Sequence, residues 1–170
     1  MIIRFDDVHA IRLIAQAAKI QFVPRLHHAI ASYDNNDILT GGVLFTDWMG
    51  GSIQVHVAGF RPNWASKALL YLAFNYPFEQ LKVNKLIGLV PEENHQARNL
   101  NLHLGFRIEY KIDDVFNHRS LANGMWIMSM RREDCRWLKM KPPHIEYAPL
   151  DRTNRVDMPL ASMPAIGVMQ

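Results

Sequence analysis

The chain has 170 residues, about half of them hydrophobic, and a formal net charge of +3. This length suits one hydrophobic core and leaves little room for two. The single cysteine, Cys135, excludes an internal disulfide framework, and no Cys/His set has the spacing of a zinc site. No apolar run reaches the roughly 20 residues of a membrane span, and the first residues lack the layout of a signal peptide. The sequence therefore predicts a protein of the cytoplasm with no metal and no membrane partner, and its modest charge gives no reason to expect nucleic acid.

The beginning of the chain predicts a strand followed by a helix. Residues 2–5 suit a strand, and Asp6 and Asp7 supply the N-cap chemistry for a helix whose apolar residues run from Val8 to Ala17. A short second helix near 22–26 is left open, because Pro24 does not let its boundary be fixed.

Two turns rich in Asp, Asn and Gly divide the next stretch into three antiparallel strands. The predicted strands are 28–33, 38–48 and 52–60, with turns at 34–37 and 49–51. In the third strand, Gln54, His56 and Ala58 share one face, because side chains alternate along a strand. The other face is apolar, so this strand has a core face and a face suited to a functional site.

The second half predicts alternating helices and strands. The predicted elements are a helix over 65–76 capped by Asn63 and bent or ended by Pro77, a strand over 85–90, a helix over 94–104 stopped by Gly105, and strands over 107–112 and 125–130. The near-continuous apolarity of 85–90 predicts burial on both faces. The order β-α-(α)-β-β-β-α-β-α-β-β indicates an α/β fold in one domain over 1–140.

Residues 141–170 form a Pro- and Met-rich extension without any period. Such a segment does not satisfy its own backbone hydrogen bonds in a helix or a sheet. We expect a neighbouring subunit or a larger assembly to hold it if it is ordered, which leaves a homo-oligomer open.

The stretch 94–106 starts with Asn94, has Ala97 three residues on and closes with Gly105-Phe106. It resembles the signature of the GCN5-related N-acetyltransferases, and the resemblance covers roughly residues 2–135. Tyr76-Pro77-Phe78 at the end of the central helix is similar to the small acetyltransferases of tailed bacteriophages. The resemblance implies a mixed sheet of six to seven strands, splayed in the middle and flanked by helices. It also implies acetyl-CoA as co-substrate and an amine-bearing acceptor, either a small molecule or a protein.

The resemblance implies a set of cofactor-binding residues. They are Val57 and Ala58 for the pantetheine arm, the turn Arg61, Asn63, Trp64, Ala65 and Ser66 for the pyrophosphate, Asn94 for a pantetheine amide, and Arg98 for the phosphates. A helix N-terminus after this turn suits an anion. Trp64 and Ser66 stand where the family has glycines, and glycine is what permits close backbone approach.

The resemblance also implies a catalytic set. His56 is the candidate base, and a backbone N–H near Val57 or Ala58 is the candidate oxyanion donor. Asn101 occupies the position of the family's tyrosine acid, which leaves His103 or water for that role. The acceptor pocket is expected around 22–28 and 113–123, where Asp113 and Asp114 suit a cation.

Each assignment has a structural alternative. His56 is equally well explained as a hydrogen-bonded strand residue, Asn94 as a helix cap, and Trp64 as a core anchor. The missing glycines and tyrosine favour a second interpretation, in which the chain is a non-catalytic protein with the acetyltransferase fold, such as a component of a phage virion. Fold alone does not decide between the two.

Overall fold

The structure is a computed structural model that describes residues 1–21, 23, 27–116 and 123–147. The strands are β1 (Ile2–Phe5), β2 (His28–Tyr33), β3 (Leu39–Thr46), β4 (Ser52–Gly59), β5 (Lys85–Pro91), β6 (Arg107–Ile112), β7 (Met125–Arg131) and β8 (Glu146–Tyr147). The helices are α1 (Val8–Ala17), α2 (Lys67–Asn75) and α3 (His95–Leu104), and a π-helical turn over Tyr76–Gln80 extends α2. The predicted helix near 22–26 lies largely outside the described residues.

One mixed sheet holds all eight strands in the order β6-β7-β5-β4-β3-β2-β1-β8. The β4–β5 and β1–β8 pairs are parallel, and the other pairs are antiparallel. The predicted mixed sheet flanked by helices is confirmed. Seven of the strands were expected from the sequence, and the eighth is the two-residue β8.

The helices cover the sheet from two sides. Helix α1 packs one face through Ala10, Ile11 and Ile14, against Leu44 and Ala58. Helices α2 and α3 share a larger core on the other face, with Leu69, Leu86 and Leu104 among its members. Strand β3 lies between the two layers and is buried along its whole length.

Strand β5 differs from its predicted burial on both faces. Leu86, Gly88 and Val90 are buried under α2 and α3, but Leu89 on the opposite face is 38% exposed. Helix α1 packs over β2, β3 and β4. The apolar run 85–90 therefore has one buried core face, while on its other face Ile87 is half-buried and Leu89 is exposed.

Helix caps follow the predicted chemistry at two of the three helices. Asp7 accepts a hydrogen bond from the Ala10 N–H (3.0 Å), and Asn94 accepts one from the Ala97 N–H (3.0 Å). The predicted Asn63 cap is wrong, because α2 begins at Lys67 and Ser66 caps it by accepting from the Leu69 N–H. Asn63 instead turns the chain with φ 58°, a left-handed conformation that Asn tolerates.

The end of α2 shows how Pro77 acts. Proline has no N–H and would clash with the carbonyl one turn back, so an α-helix does not continue through it unchanged. Here the chain widens into a π-helical turn, in which the Leu81 N–H donates to the Tyr76 carbonyl (3.1 Å). The helix is thus extended with wider spacing, which buries Pro77 and Phe78.

The beginning of the predicted extension rejoins the sheet. Residues Glu146 and Tyr147 pair in parallel with Ile2 and Ile3, so this part of the extension has a backbone partner in β1. The remaining part of the extension lies outside the described residues, and the division into 1–140 and 141–170 stays a prediction.

Trp64 packs on a pair of glycines that face each other across β3 and β4. A Cβ placed on Gly59 would overlap Trp64 Nε1, and one on Gly41 would lie 2.6 Å from Trp64 Cε3. The two glycines thus allow the indole to lie directly on the sheet backbone. Trp64 is partly buried and contacts the core on the α2 side of the sheet. This position agrees with the alternative in which Trp64 is a core anchor.

We predict that Gly59→Ala lowers the free energy of unfolding by roughly 1–3 kcal/mol, because the added methyl overlaps the indole ring. In a Trp64→Ala background the same change should cost far less, since the overlap is gone. Urea unfolding of the four members of this cycle measures the difference. Gly51→Ala is the matched control, because the nearest atom to its Cβ, Asn84 Nδ2, is 3.9 Å away. An equal cost of Gly59→Ala in both backgrounds would contradict the proposed packing.

Candidate active site

The parallel strands β4 and β5 pair over only three positions. Ser52, Ile53 and Gln54 are opposite Lys85, Leu86 and Ile87, and the described residues show no β4–β5 pairing beyond them. Strand β4 continues to Gly59 along β3, while β5 continues to Pro91 along β7. The sheet therefore opens between residues 55–59 of β4 and 88–91 of β5, and Val57 and Ala58 lie in the opened part of β4.

Residues 60–66 connect the end of β4 to the beginning of α2. The N–H groups of Phe60 and Arg61 both donate to the Thr40 carbonyl (2.8 and 3.1 Å), which fixes the start of the turn. Ser66 caps the helix, and the first amides of α2, at Lys67 and Ala68, have no intrahelical acceptor.

A pocket of about 370 Å³ lies at this helix start and is lined by Ser66, Lys67, Ala68, Pro143 and His144, together with Met1. Helix N-termini carry partial positive charge, so an anion is the ligand that such a pocket suits. The chain that leads to β8 thus forms one wall beside the sequence-predicted turn 61–66.

His56 lies on the α1 side of the sheet, on the face shared with Gln54 and Ala58. Its Nε2 is 3.0 Å from Thr46 Oγ1, and the Thr46 hydroxyl donates to Asp47 Oδ2 (2.8 Å). Thr46 is 3% exposed, whereas Asp47 is exposed at the turn after β3. The predicted base thus belongs to a hydrogen-bonded chain that ends on a carboxylate.

The surroundings favour the neutral form of His56. The pKa of His56 lies below its ordinary value, mainly because the side chain is buried. The negative charge of Asp47 raises this pKa in part, and His27 lowers it further. Burial lowers the pKa of His27 as well. A neutral imidazole is the form that accepts a proton, so the environment suits a base at neutral pH.

Asn94 and Arg98 both have structural partners. The Asn94 carboxamide oxygen caps α3, which leaves its N–H₂ group for another acceptor. The Arg98 guanidinium lies over the Trp126 ring, 5.8 Å from its centroid, and Lys111 Nζ lies 5.6 Å from the same centroid. Trp126 is opposite Val90 at the end of β5.

Asn101 and His103 lie on different sides of α3. Asn101 is 8% exposed, donates to Met128 Sδ (3.9 Å) and lies against Gly88 of β5. His103 is exposed, and its backbone carbonyl accepts from Arg136 (2.6 Å). The structure thus does not bring the two candidate acid positions together.

Asp113 and Cys135 are two further groups whose surroundings bear on a chemical role. Lys111 bridges Glu92 (2.6 Å) and Asp113 (3.0 Å), so Asp113 already has a cationic partner. Cys135 is buried, and burial raises the pKa of its thiol, which disfavours the thiolate form that a nucleophile needs.

The residues that sequence reasoning missed are Thr46 and Asp47. The register of the β3–β4 hairpin is the feature that would reveal them, because it pairs Leu44 with His56. Thr46, two residues after Leu44, then lies on the same face of the sheet as His56. Predicting that register requires the exact turn after Thr46, where Asp47 adopts φ 49°. Among the described residues, no three His, Cys, Asp or Glu side chains are grouped as a metal ion would require.

No protein-family model matches the chain, and no curated protein matches its sequence. Solved structures do match its fold. The chain is similar to a chimera of the spermidine N-acetyltransferase SpeG from Vibrio cholerae and hSSAT, at 16% identity and TM-score 0.60, over 78% of this chain and 98% of that one. It is also similar to the Vibrio cholerae spermidine N-acetyltransferase in complex with CoA and spermine, at 19% identity and TM-score 0.53, over 64% and 68% of the two chains.

A third similar structure is an acetyltransferase of the GNAT family from Bacillus anthracis, at 15% identity and TM-score 0.52, over 63% of this chain and 66% of that one. At such low identity the likeness establishes the fold and nothing finer. The chain has the fold of the GCN5-related N-acetyltransferases, as the resemblance at residues 94–106 implied.

We predict that Asn94→Ser and Asn94→Ala separate capping from ligand binding. Serine caps a helix nearly as well as asparagine, so Asn94→Ser should keep the wild-type melting temperature, whereas Asn94→Ala should lose about 1 kcal/mol. Both lack the amide N–H₂ group, so both should bind acetyl-CoA about three- to tenfold more weakly. Thermal unfolding and calorimetric titration measure the two effects. Wild-type affinity in Asn94→Ser would leave Asn94 with the cap alone.

Proposed function

We propose that the chain is an acyl-CoA-dependent N-acetyltransferase, which transfers an acetyl group from acetyl-CoA to an amine by direct attack. The observation that carries the proposal is the opening of the sheet after the Gln54–Ile87 pair, which is followed along the chain by the turn 60–66 and the start of α2. A backbone edge left without a strand partner can pair with the amides of an extended ligand. The acetyltransferase fold of the similar structures supports the same function.

In this proposal the pantetheine arm lies along β4 beside Val57 and Ala58. The pyrophosphate meets the turn with Arg61, Asn63, Trp64, Ala65 and Ser66 and the first amides of α2, where the helix dipole favours negative charge. Ser66 supports this arrangement by capping α2 through its side chain, which leaves the amides of Lys67 and Ala68 to a ligand. The Asn94 N–H₂ group then binds a pantetheine amide, and Arg98 adds positive charge nearby.

His56 is the proposed general base. Its lowered pKa keeps it neutral at neutral pH, and general-base catalysis by a positioned side chain contributes about 10²–10⁴ in rate. A backbone N–H near Val57 or Ala58 stabilises the oxyanion. Because Asn101 is buried against Gly88 and His103 is exposed, water is the better supported proton donor for the departing thiolate.

The proposed acceptor is a small molecule that carries an amine. The similar structures include spermidine N-acetyltransferases, one of them solved with spermine, which supports this class of acceptor. The open side of β5 at Leu89 lies on the same face as His56 and gives the acceptor room to approach. The cytoplasm is the compartment that we propose; none of the described helices is long and apolar enough to cross a bilayer.

One observation favours the second candidate, a non-catalytic protein with this fold, such as a phage virion component. Trp64 fills the turn where the family has a glycine, and its ring is pressed onto the sheet at Gly41 and Gly59. This packing gives the turn a structural task that does not need a ligand. Binding of acetyl-CoA distinguishes the two candidates.

We predict that acetyl-CoA raises the melting temperature. Ligand at about 100 times its dissociation constant adds roughly 2.7 kcal/mol, which corresponds to a rise on the order of 5–10 °C for a domain of this size. S-acetyl-N-acetylcysteamine, which has the thioester but no nucleotide, serves as the control and should give no rise at the same concentration. An unchanged melting temperature at millimolar acetyl-CoA would support the non-catalytic candidate.

We predict that kcat/KM rises with pH through a pKa below about 6.5, because burial holds His56 neutral to lower pH than a free imidazole. His56→Gln should lower kcat/KM about 10²- to 10⁴-fold and remove this acidic limb. Thiol release measured between pH 5 and 9 over a panel of amines tests both effects. His9→Gln, on the exposed side of α1, is the matched control. An acidic limb that persists in His56→Gln would remove His56 from the mechanism.

A further inference from the structure

The hydrogen bonds around Thr46 determine where His56 carries its proton. A carboxylate has no proton to donate, so at 2.8 Å the Thr46 hydroxyl must give its single proton to Asp47 Oδ2. If the Thr46 hydroxyl pointed its proton elsewhere, a lone pair of Thr46 Oγ1 would face a lone pair of Asp47 Oδ2 at 2.8 Å. Thr46 Oγ1 can then only accept from its second neighbour, His56 Nε2, at 3.0 Å.

We propose that Thr46 and Asp47 are positioning residues that hold neutral His56 with its proton on Nε2, so that Nδ1 is its basic nitrogen. The assignment of the tautomer rests on the hydrogen bonds alone, and its use in catalysis rests on the function proposed above. Neither Thr46 nor Asp47 touches the reacting atoms; both act through the imidazole ring.

The proton then has a defined route. The amine nitrogen bonds to the thioester carbonyl carbon, the carbon–sulfur bond breaks, and the electron pair of that bond leaves with the thiolate. The proton released by the amine nitrogen moves to His56 Nδ1, and the resulting imidazolium keeps its Nε2–H bond to Thr46. His56 later returns the proton, through water, to the thiolate, which restores the neutral base.

The groups around His56 agree with this role. Among the described residues, the titratable groups that act on it are Asp47, at the turn after β3, and His27, just before β2. Asp47 stabilises the imidazolium form, while burial and His27 favour the neutral one. The Thr46 hydroxyl lies between the ring and the carboxylate, so it orients the imidazole without a direct ion pair between His56 and Asp47.

The test combines nitrogen NMR with three substitutions in the full chain. With ¹⁵N-labelled histidine at pH 8, wild-type His56 should show a protonated Nε2 and an unprotonated Nδ1, and Thr46→Ser should preserve this pattern. Thr46→Val removes the hydroxyl at nearly constant volume and should give a mixture of tautomers. Asp47 is exposed, so Asp47→Asn leaves the core unchanged. Without the carboxylate, the Thr46 hydroxyl can donate to His56 Nε2, and the tautomer population of His56 should shift toward the Nδ1–H form.

Kinetics give the second measurement. Thr46→Val should lower kcat roughly 10- to 100-fold with little change in the KM for acetyl-CoA, and Thr46→Ser should recover most of the rate. A wild-type Nδ1–H tautomer, or a tautomer that Thr46→Val and Asp47→Asn leave unchanged, overturns the proposal. Wild-type kcat in Thr46→Val overturns the catalytic part. If the wild-type protein has no turnover, the proposed function fails, while the NMR result still decides the tautomer.

Discussion

The limited pairing between β4 and β5 is the constraint on which the candidate site depends. Three residue pairs hold the two parallel strands together at one end, and each strand then follows a different antiparallel partner. Because both strands are firmly paired on their outer sides, the opening does not require a weak or mobile sheet. A polar backbone edge inside a folded domain normally finds a partner, and the proposed function assigns an extended ligand to this edge.

The turn before α2 anchors Trp64 on the sheet, and the proposed function gives the same turn a second task, the binding of a pyrophosphate. Glycines in the turn normally let a ligand approach the backbone, whereas here glycines on β3 and β4 let the Trp64 ring approach it. The side chain therefore anchors the turn from the sheet side. The start of α2 lies beside the pocket, and Ser66, the last residue of the turn, caps the helix there.

Much of the fold follows from local patterns in the sequence. Alternation in 52–60, the caps Asp7 and Asn94 and the stop at Gly105 each depend on a few neighbouring residues, and each is found in the structure. Local patterns do not determine which faces of the sheet the helices cover. The apolar run 85–90 therefore gave no sign that Leu89 would remain exposed.

The candidate site was predictable only in part, for the same reason. His56 could be assigned to the correct face of β4 by counting along one strand. Its link to Thr46 and Asp47 depends on the pairing of two strands across a tight turn, and the place of Trp64 depends on glycines from both strands. Such relations between distant residues appear only when strand register is known.

The path of the chain into β8 determines where the molecule can be shortened. Met140 closes the predicted catalytic unit by sequence, yet Pro143 and His144 flank the start of α2, and the next residues extend the sheet at β1. Cutting at Met140 would remove β8 from that edge of the sheet and one wall of the pocket at the start of α2. A shortened chain that keeps both features therefore reaches at least to Tyr147.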